Sequence, residues 1–533
     1  MSTLSDLLPS GSGGKNIDFV ASGTLSNGQT VALKSDGTVE GIISTVITES
    51  MGTTTPYFNP AGQNAEVMQD KYSSCFDSLN NRLVIVFIDN ISGSSTRYYS
   101  YYAVGTISGS SISFGTATVK QSYVEYDAPT CVFDSSSGTI LSCSNISYNS
   151  GTSFYVQGET GVLNPATNTI AWTVRGSPRG PGNTYVDPSN TTMGLLYDPF
   201  HDRSVLFCKD INNSQYNVAY TYNGATWPHW SSTVTIVDTS TMSTNNNLAL
   251  CFDSKNNQVI FAVFAGNQLK VKNGTVIPSS GVTSTITLGS GVTSPSFGVV
   301  SGLDILYDTA RERVVIFAQD ANSGNKIKYN NGTVSGTLTS ATVSWGGAGE
   351  VNTVASIWGN VGRAVYDANS GEFALIYQVS NIPYYVIGRV DATNPNICTF
   401  NSPVAFNQAS PPSSIEYVTM AVNTTENRIG CFYYDKSATY PKWTAGSSVL
   451  SIASSSSTNS SFIGITDAAI ADTATGSVTI KGGIVTNASL PTLTPNSVYY
   501  VQGNGTISTT TTSPAVRIGK ALSSTSINLE FNS

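Results

Sequence analysis

Apolar and polar positions follow one pattern that returns seven times along the chain. In its first copy, SCFDSLNNRLVIVFID (Ser74–Asp89), an apolar stretch ends in an aromatic residue and an aspartate, a polar turn follows, and a second apolar stretch begins. We call the residues at the aspartate position the repeat aspartates, although the seventh copy has asparagine there: Asp77, Asp134, Asp198, Asp253, Asp308, Asp367 and Asn423. They are spaced 55 to 64 residues apart, and a period of this kind predicts a repeat architecture.

Each repeat reads as four short strands, and the strand after the turn is apolar at consecutive positions. Examples are Leu83–Val86 in the first copy and Val314–Phe317 in the fifth. Consecutive apolar residues place apolar groups on both faces of a strand, so both faces must be covered. The fold class predicted is therefore all-β, a seven-bladed β-propeller of four-stranded units with a small flanking β domain.

The chain divides into four segments by composition. Residues 1–43 form an N-terminal arm with short hairpins at Asn27-Gly28 and Asp36-Gly37, and residues 44–450 hold the propeller. A Ser-rich stretch at 451–461 is expected to be a flexible linker, and 462–533 a C-terminal β domain. Because a closed ring brings its ends together, we expect the strands around Val31–Val39 to lie beside the C-terminal domain.

The repeat aspartates are predicted to cap their turns by accepting backbone N–H bonds two or three residues on. A calcium site is the alternative, because Asp and Asn recur nearby, but no further carboxylates stand in register. We therefore expect no metal and no cofactor.

Charged residues after the turn alternate from one repeat to the next. Five positions after the repeat position, the odd-numbered copies alone carry arginine: Arg82, Arg203, Arg313 and Arg428. Twelve positions after the repeat position, the same copies carry aspartate: Asp89, Asp210, Asp320 and Asp435. The odd separation of seven points the two side chains to opposite faces, so they are not expected to pair within a strand. The sequence offers no physical reason for the alternation.

Composition limits the partners. Only 11% of residues are charged and the net charge is −8, which argues against nucleic-acid binding; no apolar run is long enough to cross a membrane. The N-terminus lacks the pattern of a secretory signal, and the seven cysteines fill apolar positions of the repeat. We therefore expect buried free thiols and folding in a reducing cytoplasm.

The sequence contains few residues or motifs that are typical of an enzyme active site. The two histidines, His201 and His229, read as surface or packing residues, and no metal-protease, phosphate-loop or nucleophile-elbow motif occurs. Propellers that cleave sugars carry carboxylate clusters, and sialidase-like ones add repeated Asp-box turns. TYNGATW (Thr221–Trp227) is a single shortened copy of such a turn. The chain is expected not to be an enzyme.

Two stretches are candidates for binding. RGSPRGPGNTYVDPSN (Arg175–Asn190) lies in the widest gap between repeats and holds Arg175 and Arg179, while Trp227 and Trp230 flank a turn. Long loops on rigid scaffolds often carry recognition, and aromatic rings stack on sugars. The alternatives are a tolerated insertion and ordinary strand packing.

The lead-in FVASGTLSNGQTVALKSDGTV, the tail from FIGITDAAIADTATGSVTIKGGIV to INLEF and units such as LYDTARERVVIFAQD resemble structural proteins of tailed bacteriophages, especially those infecting marine bacteria and cyanobacteria. The resemblance implies a virion component, tail- or fibre-associated, that is assembled in the host cytoplasm. It transfers no functional residues.

We therefore expect a virion structural protein that contributes to recognition of the host surface. Its expected partners are other virion proteins, host surface glycans and further copies of itself, without nucleic acid or membrane insertion. One alternative is a decoration or connector protein with a purely structural propeller; the other is a carbohydrate-active surface enzyme.

Overall fold

A computed structural model shows an all-β protein made largely of four-stranded antiparallel sheets, and the predicted all-β propeller class is confirmed. No α-helix occurs among the residues that the structure describes. Those residues are 15–34, 36–42, 44–46, 50–52, 55–58, 72–90, 98–121, 125–148, 153–174, 193–209, 217–223, 229–230, 235–238, 248–278, 284–294, 297–352, 354–356, 363–391, 393–406, 415–425, 428–435, 444–452, 455–457, 461–502, 505–510 and 516–530. The chain forms two compact units, Glu49–Ile452 and a flanking unit of Met1–Thr48 with Ala453–Ser533.

The flanking unit begins with four strands of the N-terminal segment. They are β1 (Asn16–Val20), β2 (Thr30–Leu33), β3 (Val39–Gly41) and β4 (Ser44–Val46). β2 and β3 form an antiparallel hairpin across Asp36-Gly37, and Gly37 takes a φ of 83°, a conformation that glycine adopts without strain.

The larger unit opens with two short strands that the sequence did not reveal as part of a repeat. They are β5 (Ser50–Met51) and β6 (Thr55–Phe58). Both pair with the third strand of the last repeat. The outer strands of the last sheet therefore come from residues that precede the first repeat.

The repeats themselves form antiparallel sheets, which we call blades 1 to 7 in chain order. Their strands are β7 (Tyr72–Asp77), β8 (Arg82–Asn90), β9 (Tyr98–Ser108), β10 (Ser111–Phe114) and β11 (Thr118–Gln121) in blade 1; β12 (Glu125–Asp134), β13 (Thr139–Tyr148), β14 (Ser153–Asn164) and β15 (Thr169–Val174) in blade 2; β16 (Gly194–Asp198), β17 (Arg203–Lys209), β18 (Asn217–Asn223), β19 (His229–Trp230) and β20 (Thr235–Asp238) in blade 3; β21 (Leu248–Asp253), β22 (Gln258–Ala265), β23 (Gln268–Ile277), β24 (Thr285–Leu288) and β25 (Val292–Thr293) in blade 4; β26 (Val300–Asp308), β27 (Arg313–Asp320), β28 (Lys326–Ser335) and β29 (Thr342–Glu350) in blade 5; β30 (Arg363–Asp367), β31 (Glu372–Val379), β32 (Ile382–Val390), β33 (Cys398–Phe400) and β34 (Val404–Ala405) in blade 6; and β35 (Ile415–Asn423), β36 (Arg428–Asp435) and β37 (Thr444–Ser451) in blade 7. Single 3-10 turns, Ala321–Ser323 and Leu338–Ser340, follow β27 and β28.

The blades pack face to face. The strand after each repeat turn is buried on both faces, as the consecutive apolar positions predict; all eight residues of β22 are buried. The apolar core divides into clusters that each join two neighbouring blades, and one of them joins blade 7 to blade 1 through Phe432, Val449, Leu83 and Ile85. The first strands of successive blades also touch, including β35 with β7. These contacts support the predicted closure into a ring of seven blades.

Strand direction gives every blade two distinct edges. The first strand ends at the repeat aspartate, and a four-residue turn such as 78–81 leads into the second strand. Because the strands alternate in direction, the connection from third to fourth strand lies at the same edge. We call it the aspartate edge. The connections between blades start and end at the opposite edge.

The C-terminal strands complete the flanking unit. They are β38 (Ser455–Ser457), β39 (Phe462–Thr466), β40 (Thr475–Ile480), β41 (Ile484–Thr486), β42 (Val498–Val501), β43 (Ile507–Ser508), β44 (Val516–Ala521) and β45 (Ser526–Leu529). One sheet has the order β1-β40-β39-β2-β3 and another β41-β45-β44-β42-β43. The prediction that the N-terminal strands lie beside the C-terminal domain is confirmed, because β1 pairs with β40 and β2 with β39.

The expected flexible linker at 451–461 needs correction. Ser451 belongs to β37, Ile452 is fully buried, and Ser455–Ser457 form β38, which pairs with β4. β4 thus belongs to the flanking unit, although the sequence assigned residues from 44 onward to the propeller. Composition alone suggested a polar coil; pairing with a distant strand satisfies the backbone instead.

Candidate functional site

Six of the seven repeat positions hold an aspartate, and each of these aspartates is buried and hydrogen-bonded to its own turn. The carboxylate of Asp77 accepts the N–H groups of Leu79 and Asn80 at 3.1 and 3.0 Å. Asp134, Asp198, Asp253, Asp308 and Asp367 accept the equivalent N–H groups at 2.9 to 3.3 Å. All six are at most 4% exposed. Their carboxylates therefore close the turns.

The second carboxylate oxygen takes a side chain three positions on. Asn80 and Asn256 donate at 2.8 Å and Ser137 at 2.7 Å. In blade 3 the partner is His201, whose Nδ1 lies 2.6 Å from Asp198 Oδ2. His201 is therefore a turn residue that bonds a buried carboxylate. This role is more specific than the surface or packing role expected from the sequence.

The residue before the repeat aspartate ties neighbouring blades together where it is tyrosine. Tyr366 donates its hydroxyl to Asp308 Oδ1 at 2.9 Å and accepts the N–H of Ala310 at 3.1 Å. Burial raises the pKa of the Tyr366 hydroxyl, and burial raises the pKa of Tyr197 to about 12. These phenols stay protonated and act as donors at neutral pH.

The turns also touch from blade to blade along the aspartate edge. Asn423 of blade 7 donates to Asn81 Oδ1 of blade 1 at 3.0 Å. Other direct contacts between neighbouring turns are Ser136 with Asp202, Lys255 with Glu312, Arg311 with the carbonyl of Gly371, and Asn369 with the carbonyl of Thr424. The aspartate edge is a belt of mutually bonded turns.

The alternating arginines have a structural explanation in this belt. Arg82, Arg203 and Arg313 each reach the connection between the third and fourth strands of the following blade. Their Nε atoms donate to Asn168 Oδ1 at 3.0 Å, Ser284 Oγ at 2.9 Å and the Pro395 carbonyl at 3.2 Å, respectively. In blade 4 Gln258 has the same role, donating to the carbonyl of Gly336 at 3.0 Å.

The aspartate seven positions after the arginine lies at the other end of the second strand, and in blade 5 the two side chains have separate partners. Asp320 accepts Asn322 N–H at 3.0 Å and Lys328 Nζ at 2.8 Å at the opposite edge. Arginine and aspartate of this pattern thus serve two separate edges of one blade.

A buried ion pair lies between blades 1 and 2. Lys120 Nζ is 3.1 Å from Glu159 Oε2 and donates to Ser142 and Ser144, while the ring of Trp172 lies beneath it at 5.5 Å. Both charged side chains are at most 3% exposed. Compensated charges of this kind favour one specific arrangement of the two blades.

The first strands of blades 5 and 6 carry a further charged pair, Asp304 and Arg363. Asp304 accepts the N–H of Ile305 and, from the neighbouring blade, the N–H of Ala364, both at 2.9 Å. Burial raises the pKa of Asp304, against the opposing effect of Arg363 and the two N–H donors. One carboxylate occupied by backbone donors does not supply the pair of carboxyl groups that glycoside hydrolysis needs.

Within the described part of the chain, no group of three or more His, Cys, Asp or Glu side chains could hold a metal ion. The same residues include no helix long and apolar enough to span a membrane. All seven cysteines are buried and none forms a disulfide in this structure.

Three of the four candidate binding residues, Arg175, Arg179 and Trp227, lie outside the described residues. Trp230 lies in β19, with its backbone paired to Tyr222. The strand ends on either side of the two stretches are nevertheless informative. Val174 and Gly194 stand at the opposite edge, whereas Asn223 and His229 stand at the aspartate edge. The described strand ends that border the two stretches therefore stand at different edges of the blades.

A glycine that the sequence patterns did not single out recurs on the third strand of five blades. In each case the glycine pairs with a large apolar residue on the neighbouring strand: Gly105 with Phe114, Gly161 with Trp172, Gly274 with Leu288, Gly332 with Trp345 and Gly388 with Phe400. A Cβ on Gly388 would come within 2.6 Å of the Phe400 ring. The recurring third-strand glycine, as in AVGT and KNGT, was the available signal.

Comparisons with known proteins add little to this geometry. No protein-family model and no curated protein matches the chain. Among solved structures, the NanB sialidase of Streptococcus pneumoniae is 12% identical over 75% of this chain and 71% of its own, with a TM-score of 0.41. AofleA of Arthrobotrys oligospora is 9% identical over 72% of this chain and 98% of its own, with a TM-score of 0.38.

The propeller domain of Cps50 (Swd1) from Myceliophthora thermophila is 8% identical over 76% of this chain and all of its own, with a TM-score of 0.39. Similarity at these levels transfers neither an activity nor a ligand to this chain.

Proposed function

We propose that this protein is a structural component of a tailed-bacteriophage particle, without hydrolytic activity, that presents a recognition surface on a rigid propeller. The resemblance of its lead-in, repeats and tail to phage structural proteins supports the virion part of the proposal. The belt of bonded turns supports the rigid scaffold, because it uses the repeat carboxylates for structure.

The observation that carries the recognition part is the contrast between the two edges. First-to-second-strand turns have four residues in every blade, whereas connections between blades range from 122–124 to 175–193. Variable connections on a uniform scaffold are the usual place for recognition. Recognition is therefore proposed for the opposite edge, with the Arg175–Asn190 stretch taking part.

Two guanidinium groups, Arg175 and Arg179, suit anionic groups of bacterial surface glycans, because arginine can hold a carboxylate or phosphate through two parallel hydrogen bonds. Trp230 lies in β19, which begins at the aspartate edge, so the tryptophans are not proposed as part of the same site.

The virion proposal is tested by mass spectrometry of density-purified particles of the phage that encodes this chain. The chain should copurify with the major tail proteins, and labelled antibody should decorate the tail or fibres in electron micrographs. Absence from the particles overturns the proposal. Decoration of the head favours the decoration-protein alternative.

Recognition is tested with particles carrying Arg175→Ala and Arg179→Ala. They should assemble normally and adsorb to host cells more slowly. Arg389→Ala is the matched control, since its side chain is 58% exposed on a third strand. Unchanged adsorption removes the loop from the proposal, whereas failed assembly points to a contact between virion proteins.

The absence of hydrolysis is tested on purified protein with host surface polysaccharide. No turnover is expected. Turnover that disappears on replacing one Asp or Glu establishes the enzyme alternative.

A further inference from the structure

Two cysteines face each other across the interface of blades 1 and 2. Cys75 lies on β7 and Cys131 on β12, two first strands that contact each other across this interface. Both belong to the same apolar cluster, with 8% and 5% of their surfaces exposed. Ser73, two residues before Cys75 on the same face, accepts the N–H of Cys131 at 3.0 Å.

The repeat places these two positions together independently of the thiols. Cys75 stands two residues before its repeat aspartate and Cys131 three before its own. The same two positions of successive blades share one core cluster at five further interfaces: Val132 with Leu195, Leu196 with Leu250, Cys251 with Ile305, Leu306 with Ala364, and Val365 with Met420. Only at the first interface are both positions cysteine.

We propose that Cys75 and Cys131 form a disulfide that links blades 1 and 2 once the protein meets an oxidising environment. The reaction needs a small oxidant, for which a peroxide is sufficient. One thiol loses its proton and the thiolate attacks a peroxide oxygen; the O–O bond breaks, giving a sulfenic acid and a hydroxide that takes up that proton to form water. The second thiol then attacks the sulfenic sulfur, the S–O bond breaks, and the leaving hydroxide takes up the second thiol's proton as another water. Two thiols and one hydrogen peroxide thus give one S–S bond and two waters.

The surroundings favour this outcome over further oxidation. The hydrogen bond to Cys131 and burial raise the pKa of the Cys75 thiol, so the thiol reacts slowly with peroxide. Once a sulfenic acid forms on one cysteine, the other lies in the same apolar cluster on the contacting strand and is placed to attack it. The bond would join residues 56 positions apart and restrain the first interface of the ring against opening.

The experiment uses the full chain, purified with reductant and then transferred to reductant-free buffer. Samples with and without hydrogen peroxide are denatured and alkylated with iodoacetamide, and the mass of the intact protein is measured by mass spectrometry. The untreated protein should carry seven alkyl groups, one for each cysteine. The oxidised protein should carry two fewer, and a non-reducing digest should contain a linked peptide pair holding Cys75 and Cys131.

Replacements that already occur in other blades keep the core packed: Cys75→Val, as at Val132 and Val365, and Cys131→Leu, as at Leu195 and Leu250. Each should abolish the oxidation-dependent loss of alkylation while the far-UV circular dichroism stays native. Cys251→Val is the matched control, because Cys251 holds the same position in blade 4 opposite Ile305; it should keep the loss. Full alkylation after peroxide, sulfinic acid without a linked peptide, or a linked pair other than Cys75 and Cys131 overturns the proposal.

Discussion

Replacing Asp308 tests whether the repeat aspartates close the turns and join the blades. Asp308 is fully buried and accepts three hydrogen bonds through Oδ1: from Ala310 N–H at 2.9 Å, from Arg311 N–H at 3.0 Å and from the Tyr366 hydroxyl at 2.9 Å. Arg311 Nη1 lies 3.5 Å from its second oxygen. The aspartate is thus bonded to its own turn and to the next blade.

The expected cost follows from these contacts. A hydrogen bond to a charged group contributes about 1.5–3 kcal/mol, but bonds that share one acceptor are not additive. Ala310 N–H keeps a partner in the Tyr366 hydroxyl when the carboxylate is removed. We therefore expect Asp308→Ala to lower the free energy of unfolding by about 4 kcal/mol, near the upper end for single substitutions.

Asp308→Asn is the informative comparison, because blade 7 already carries asparagine at this position. Asn423 Oδ1 accepts the N–H of Thr425 at 3.0 Å and its amide donates to Asn81. Asparagine keeps one acceptor but turns an NH2 group toward Arg311, so the expected loss is about 1–2 kcal/mol. Tyr366→Phe should cost about 1 kcal/mol, and its effect should differ in the Asp308→Ala background, where the Tyr366 hydroxyl no longer has the carboxylate to donate to and is the remaining acceptor for Ala310 N–H.

The free energy of unfolding of the natural chain and the four variants is measured by urea unfolding, followed by tryptophan fluorescence and far-UV circular dichroism. The reasoning is refuted if Asp308→Ala costs under about 1 kcal/mol, if Asn and Ala cost the same, or if the Tyr366 effect is unchanged in the double variant.

Three further substitutions follow from the geometry. Arg313→Met should lower stability by about 1–3 kcal/mol because it removes the bond to the next blade, while Arg389→Met, an exposed third-strand arginine, should change it by under about 0.5 kcal/mol; equal effects in urea unfolding contradict the inter-blade role. Glu312→Asn should raise the melting temperature, since Glu312 holds a φ of 56° where most other blades have Asn, Asp or Gly; an unchanged or lower value refutes strain there. Burial raises the pKa of Asp304 above its unfolded value, so the contribution of Asp304 to stability is largest at acid pH and falls as pH rises through the folded-state pKa. The stability of the natural chain relative to Asp304→Asn should therefore grow on going from pH 7 toward pH 4, and a difference that shrinks rules this out.

Features set by local sequence were predictable. The turn aspartates, the all-β fold and the two-faced burial of the second strands follow from side chains within one repeat, because turn chemistry and strand periodicity act over a few residues. The bond of His201 to Asp198 was not predicted, because histidine stands there in place of the Asn or Ser that four other copies carry at the same turn position.

Features set by the neighbouring blade were not predictable from one repeat. The role of Arg82 depends on Asn168, which lies 86 residues away, and β6 contacts β37 across almost the whole propeller. A Ser-rich composition hid the strand at Ser455–Ser457, since pairing with a distant partner leaves no local pattern. The third-strand glycines, which pair with large apolar residues of the fourth strand, become recognisable only when the repeats are aligned on their third strands.

The completion of blade 7 by β5 and β6 has a consequence for synthesis. β37 ends at Ser451, so β5 and β6 cannot pair with β37 until most of the chain has left the ribosome. Until then blade 1 lacks its neighbour, and an unpaired sheet edge is available for wrong association. Native pairings of such large sequence separation also slow folding. Refolding should therefore be slow and concentration-sensitive, and a ribosome-associated chaperone that shields the early blades should raise the yield of native protein.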